Sequence, residues 1–252
     1  LLETDSSEIC SVENLSCKKP PNKEEQSIRS TDFIIYIILH KLYNFNYKHS
    51  LETSLIHGGK MKKAVILLAN GFEEIEALSP ADYLRRAGAE VTIAATGTSS
   101  RNVEGAHKIL TIADMTLDTY FSTEKELPDA VVIPGGMPGA KNISECAKAM
   151  EFINQMFKAK KIVAAICASP AVVLGKTEIL NGKNWTCYPE MEKALSAEIQ
   201  KKHKIQPVVT DENLVTGRGP GTAEQFSMEI VRLLFGEETK AKIMETSVQR
   251  KC

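Results

Sequence analysis

The chain has 252 residues, 43% of them hydrophobic and 25% charged, a composition that suits one or two globular domains with a sizeable apolar core. Its formal net charge is −1, with both signs spread along the chain, so neither nucleic acid nor an anionic membrane is expected as a partner. Six cysteines form no Cys-x-x-Cys pair and no regular spacing, and no secretory leader is recognisable, so they read as reduced thiols of a cytoplasmic protein rather than as a disulfide framework.

Residues 1–60 differ in character from the rest. All eight methionines fall at or after Met61, and the first sixty residues mix Ser, Asn and Lys around one apolar run over residues 33–39. That run is too short to span a bilayer, and acids such as Glu3, Asp5, Glu8 and Glu13 disfavour an organellar transit peptide. Residues 1–60 are therefore expected to be a disordered or non-native extension, with a weak leader or tether as the alternative, and residues 61–252 to be the folded unit.

The run Ala64-Val65-Ile66-Leu67-Leu68-Ala69, closed by Asn70-Gly71, has the continuous apolar character of a parallel strand covered on both faces. Residues 74–87 carry Ile75, Leu78, Tyr83 and Leu84 at helical spacing, with Arg85 and Arg86 near the end and Gly88 as a stop. Strands are predicted over residues 91–95, 129–133 and 162–166, with a helix over 147–157 between the last two. Residues 207–210 and 214–216 predict a hairpin, and residues 222–235 a helix. Strands alternating with helices imply an α/β fold, a mostly parallel sheet with helices on both faces, in which ligands bind at the carboxyl ends of the strands.

At such an end lies Ala165-Ile166-Cys167-Ala168-Ser169-Pro170. An apolar strand runs into a cysteine with small residues behind it and a proline placed to open a helix, the layout of a nucleophile elbow. The helix N-terminus is expected to favour thiolate and to lower the titration of Cys167. The alternative is a buried core cysteine, since cysteine is among the most buried residue types. Two further turns converge on the same sheet edge. Pro134-Gly135-Gly136 leaves amides open to an anionic oxygen, and Gly71-Phe72-Glu73-Glu74-Ile75-Glu76 supplies three acids.

These motifs, with Arg85-Arg86-Ala87-Gly88, Pro134 to Ala140 and Gly217-Arg218-Gly219-Pro220-Gly221-Thr222, resemble in order the ThiJ/PfpI superfamily, most nearly its parkinsonism-associated protein deglycase (DJ-one) branch. The resemblance implies a flavodoxin-like, three-layer homodimer. In it Cys167 is the nucleophile, protonated Glu76 donates a hydrogen bond to the thiolate, and the amides of Gly136 and Ala168, with Gly135 shaping the turn, form an oxyanion hole. It further implies cofactor-independent conversion of a small reactive carbonyl such as methylglyoxal, or its early adducts, to hydroxy acids, with Cys167 as the preferred target of peroxide.

The sequence departs from the branch in two places. Tyr188 stands where a histidine is common, and His107 where animal proteins carry an arginine, which leaves Arg86 and Arg218 as candidate anion binders. Ala168 in place of a histidine beside the nucleophile disfavours protease and amidotransferase chemistry. A redox-sensing chaperone without significant turnover and a small-amide hydrolase remain the alternatives. No metal site is assigned, and His203, between lysines, reads as a solvated surface residue.

Overall fold

In the computed structural model, which describes residues 60–249, the first apolar run becomes β1 (Lys63–Leu68), buried along nearly its whole length. There follow α1 (Glu74–Arg86), β2 (Glu90–Ala95), β3 (Asn102–Glu104), β4 (Leu110–Ile112), β5 (Met115–Thr116), α2 (Leu117–Thr123), β6 (Ala130–Ile133), α3 (Gly139–Glu145), α4 (Ala147–Lys158) and β7 (Ile162–Ile166). Then come α5 (Ser169–Val172), α6 (Ala197–Gln200), β8 (Val208–Asp211), β9 (Leu214–Gly217), α7 (Ala223–Phe235) and α8 (Glu237–Thr246), with 3-10 turns before α6 and α7. The extension expected over residues 1–60 lies outside the described residues but for Lys60, as do Cys10, Cys17 and Cys252.

Seven strands form one sheet in the order β5-β2-β1-β6-β7-β9-β8, in which β8–β9 is the antiparallel pair and the other pairs are parallel. The expected flavodoxin-like, mostly parallel α/β sheet is thus the fold. β6 and β7 are buried at every residue, as a sheet covered on both faces requires. One helical layer joins α1 to α7, with the Tyr83 hydroxyl donating to Glu224 Oε1 at 2.9 Å. Another joins α2 to α4 through the edge-to-face rings of Phe121 and Phe152, 5.3 Å apart. From β1 the chain moves first to β2 on one side and then to β6 on the other, which makes the carboxyl ends of β1 and β6 the topological switch point.

Two features depart from the pattern expected of the sequence. Helix α1 does not bury Ile75 and Leu78, which are exposed; its inner face is Ala77, Pro80, Ala81 and Leu84 with Glu74 and Glu76. The helical period is legible, but small residues and Leu84 pack toward the sheet while Ile75 and Leu78 face outward. A separate β3–β4 hairpin also stands where no strands are expected, because its outward residues Leu110 and Ile112 are exposed and break the usual inward alternation.

Candidate active site

Each turn at the switch point places one component. After β7 the backbone at Cys167 adopts φ +62, a left-handed conformation that non-glycine residues seldom take and that turns its side chain out of the strand. The turn is held on both sides: the Cys167 amide donates to Gly217 O of the neighbouring strand at 2.9 Å, and its carbonyl accepts from the Tyr188 amide at 2.8 Å. Ser169 Oγ donates to Pro134 O at 2.6 Å and ties the start of α5 to the turn after β6. Cys167 is 8% exposed, so only a small reagent reaches its sulfur.

Glu73 caps α1, its Oε2 accepting from the Glu76 amide at 2.8 Å, and this turns Glu76 inward, where it is fully buried. Glu76 Oε2 accepts from the Gly135 amide at 2.8 Å, Oε1 is buried without a hydrogen-bond partner, and the carboxyl lies beside Cys167. The Gly135 amide is therefore engaged by the carboxyl. The amides of Gly136 and Ala168 instead face the Cys167 sulfur. Gly136 holds φ +83, and a Cβ there would come within 2.5 Å of the Glu73 nitrogen.

Burial, assisted by the charge of Glu73, pushes the Glu76 carboxyl up to about 7, against the opposing pull of Cys167 and the Gly135 amide. Burial and then the charge and hydrogen bond of Glu76 push the Cys167 thiol up to about 12, against the two amides at its sulfur. This direction is opposite to the lowering expected from a helix N-terminus. Helix α5 is a single turn, too short for a substantial dipole, and a buried carboxylate faces the sulfur. The two groups titrate as a pair: protonation of Glu76 removes the repulsion that raises Cys167.

The other expected site residues divide. Tyr188 holds the elbow by its amide and leaves a half-exposed ring against Gly219. Arg218 follows Gly217 and is anchored on Ile205 O at 2.8 Å and, through its amide, on Pro207 O. Arg86 lies ten residues beyond Glu76 along α1, roughly 15 Å by the helical rise, and pairs with Asp82 at 2.7 Å. The fold therefore does not bring Arg86 to the thiol. His107 meets Glu74: its amide donates to Oε1 at 2.8 Å, and its Nδ1 lies 2.8 Å from Oε2. Burial raises Glu74, but the hydrogen bonds from His107 outweigh it and hold the carboxylate below its ordinary value. Glu74→Ala is expected to cost about 1–3 kcal/mol in urea unfolding and to speed amide exchange at residues 105–107.

Two clefts lie elsewhere, one of about 280 Å³ at Phe121 and Phe152 and one of about 610 Å³ at Met228 and Met244, and neither is lined by Cys167 or Glu76. The site is defined by chemistry and not by cleft size. Sequence reasoning missed the surroundings of Cys187. His203 is half-buried, with its ring edge-to-face on Trp185 at 5.0 Å and its Nε2 3.8 Å from Cys187 Sγ. No spacing rule announces this contact, because it is made by an irregular loop closing on a backbone bridge between residues 185 and 203.

A cysteine on a strained strand-to-helix turn, two amides at its sulfur and a buried carboxyl beside it define a thiol-elbow protein of the flavodoxin-like class. The chain belongs to the DJ-1/PfpI family, whose model matches residues 62–233. It is 40% identical over 174 residues to Protein DJ-1 homolog A of Arabidopsis thaliana, covering 69% of this chain and 43% of that protein, so it spans less than half of that relative's length. It is 31% identical over 185 residues to Glutathione-independent glyoxalase DJR-1.2 of Caenorhabditis elegans, covering 73% of this chain and 95% of that one. Among solved structures, oxidized Toxoplasma gondii DJ-1 superposes with a TM-score of 0.70 at 31% identity, covering 75% of this chain and all of that chain. Among the described residues no helix is long and apolar enough to cross a membrane.

Proposed function

We propose that this protein is a cofactor-independent, cysteine-dependent glyoxalase or deglycase that converts methylglyoxal, or its early adducts, to hydroxy acids. The observation that carries the reading is the pairing of Cys167 with a buried carboxyl titrating at about 7, beneath two backbone donors. Above that pH the pair retains one proton, which moves from sulfur to Glu76 as the sulfur attacks the aldehyde carbon. A proton returns to the new alkoxide, and the hemithioacetal forms. A carboxyl that gains and loses its proton near neutral pH then carries hydrogen from the aldehyde carbon to the neighbouring carbonyl carbon, leaving a lactoyl thioester. Water cleaves the thioester to lactate and restores the thiol. Neither electrons nor a cofactor enter or leave.

The amides of Gly136 and Ala168 stabilise charge on the sulfur and the adjoining oxygen. The low exposure of Cys167 suits a three-carbon substrate, and the name of the Caenorhabditis relative agrees with this chemistry. Tyr188 and Arg218 are the candidates for binding the substrate's second oxygen. The reading includes a cytoplasmic homodimer, supported by the outward Ile75 and Leu78 of α1 and the exposed Ile109, Leu110 and Ile112 of the hairpin that Glu74 and His107 join to it. Protection against oxidative stress and a redox-sensing role of Cys167 form the second reading, favoured by the oxidized state of the Toxoplasma protein.

The deciding assay is lactate production from methylglyoxal by the reduced full chain without added thiol or metal. Sustained multiple turnover supports the enzyme. A folded, reduced protein that yields no lactate, while its Cys167 is consumed by peroxide, overturns it in favour of the redox reading.

A further inference from the structure

Cys187, Glu192 and His203 present one ligand atom each, all within 4.8 Å of one another. We propose that they form a binding site for a borderline-soft divalent metal ion of the zinc class, separate from the Cys167 elbow. Thiolate, imidazole and carboxylate are the donor types that such ions favour over calcium or magnesium. The separation of 3.8 Å between Cys187 Sγ and His203 Nε2 is close to what two ligands on a tetrahedral ion require, given bonds of about 2.3 and 2.0 Å.

Three further observations point to an ion. Glu192 Oε2 is buried without any hydrogen-bond partner, an orphan acceptor beside a sulfur and an imidazole. Cys187 is fully buried, so its sulfur is held against Glu192 and His203 and away from solvent. Trp185 packs edge-to-face on the His203 ring and limits its rotation. Arg218 is the opposing influence, since its positive charge reaches both Cys187 and His203. Its guanidinium is drawn aside to Ile205 O at 2.8 Å. With two anionic ligands and a divalent ion the cluster is neutral before Arg218 is counted. Binding replaces S–H by S–metal and releases that proton to solvent, leaving three protein ligands and room for water as the fourth.

The test adds Co²⁺ to the reduced, chelator-treated full chain. A thiolate-to-cobalt absorption band is expected, together with quenching of the single tryptophan, Trp185, whose ring lies against His203. Both signals are expected to persist in Cys167→Ser. They are expected to need on the order of 100-fold more cobalt in Cys187→Ser and His203→Gln, since changes to outer partners alone cost about 10–100-fold in affinity. Glu192→Gln, a partly exposed and nearly isosteric change, supplies the same reading if Cys187→Ser fails to fold. Absence of the band in the unmodified protein overturns the proposal. So does a band that survives in Cys187→Ser and His203→Gln but vanishes in Cys167→Ser, which would place cobalt on the elbow.

Discussion

Cys167→Ser is expected to abolish lactate formation, and Glu76→Gln to lower kcat/KM by about 10²–10⁴-fold, the range that a positioned proton-transfer group supplies. The two variants differ in what they leave behind. Serine keeps the turn and the amides of Gly136 and Ala168 but lacks a nucleophile that ionises at neutral pH. Glutamine can still accept from the Gly135 amide through its carbonyl, so the site keeps its shape and loses its exchangeable proton.

Stability distinguishes them further. Glu76 titrates near 4.5 when unperturbed and at about 7 in the fold. A carboxyl raised in this way favours the folded state while protonated. Its contribution is fully present below about 4.5 and is lost as the pH rises through about 7. The loss approaches roughly 3 kcal/mol on the alkaline side, since each tenfold difference in proton affinity between the folded and unfolded chain is worth about 1.4 kcal/mol. Urea unfolding of the native protein should therefore weaken between pH 5 and pH 8, and Glu76→Gln should flatten that dependence while reducing activity. A Glu76→Gln protein with unchanged turnover and an unchanged pH profile of stability would remove Glu76 from the mechanism.

The contrast between a legible motif and a hidden titration runs through the molecule. The strands β1, β6 and β7 announce themselves because burial on both faces demands unbroken apolar runs such as Ile162 to Ile166. The elbow is legible for a related reason. Small residues follow Cys167 where the chain turns sharply, and glycines follow β6 where two turns nearly touch. The titration of the thiol is not legible, because it is set first by burial in the folded chain and then by a carboxyl 91 positions away in sequence, with α5 too short to oppose them. Arg86 fails as an anion binder at the thiol because a motif gives order along the chain but not direction. Helix α1 carries it away from the edge that Glu76 faces. His203 has the sequence context of a solvated residue because its neighbours Lys201, Lys202 and Lys204 are exposed, while a backbone bridge to Trp185 turns the histidine alone inward.

Gly135→Ala is expected to reduce turnover by about 100-fold or more while the fold persists, the penalty of a misplacement near 1 Å at reacting groups. A methyl group at this position would stand 2.7 Å from Cys167 Cβ, 2.7 Å from Glu76 Oε2 and 2.9 Å from Ile166 O. The last of these is main chain of β7 and has little room to move, so the clash must be relieved by separating the nucleophile from its carboxyl or by moving the turn after β6. Either movement also strains the hydrogen bond from the Gly135 amide to Glu76, and overpacking of this kind costs about 1–3 kcal/mol in stability. Gly221→Ala is the matched control, since nothing lies within 4 Å of the added methyl. It should leave turnover unchanged and stability equal or slightly higher through the unfolded chain's lost freedom. If Gly135→Ala were as active as Gly221→Ala, the close approach of Cys167 and Glu76 would be irrelevant to the chemistry. A loss confined to Gly135→Ala, with a rise in the peroxide sensitivity of Cys167, would show that the same tight contact both poises and shields the thiol.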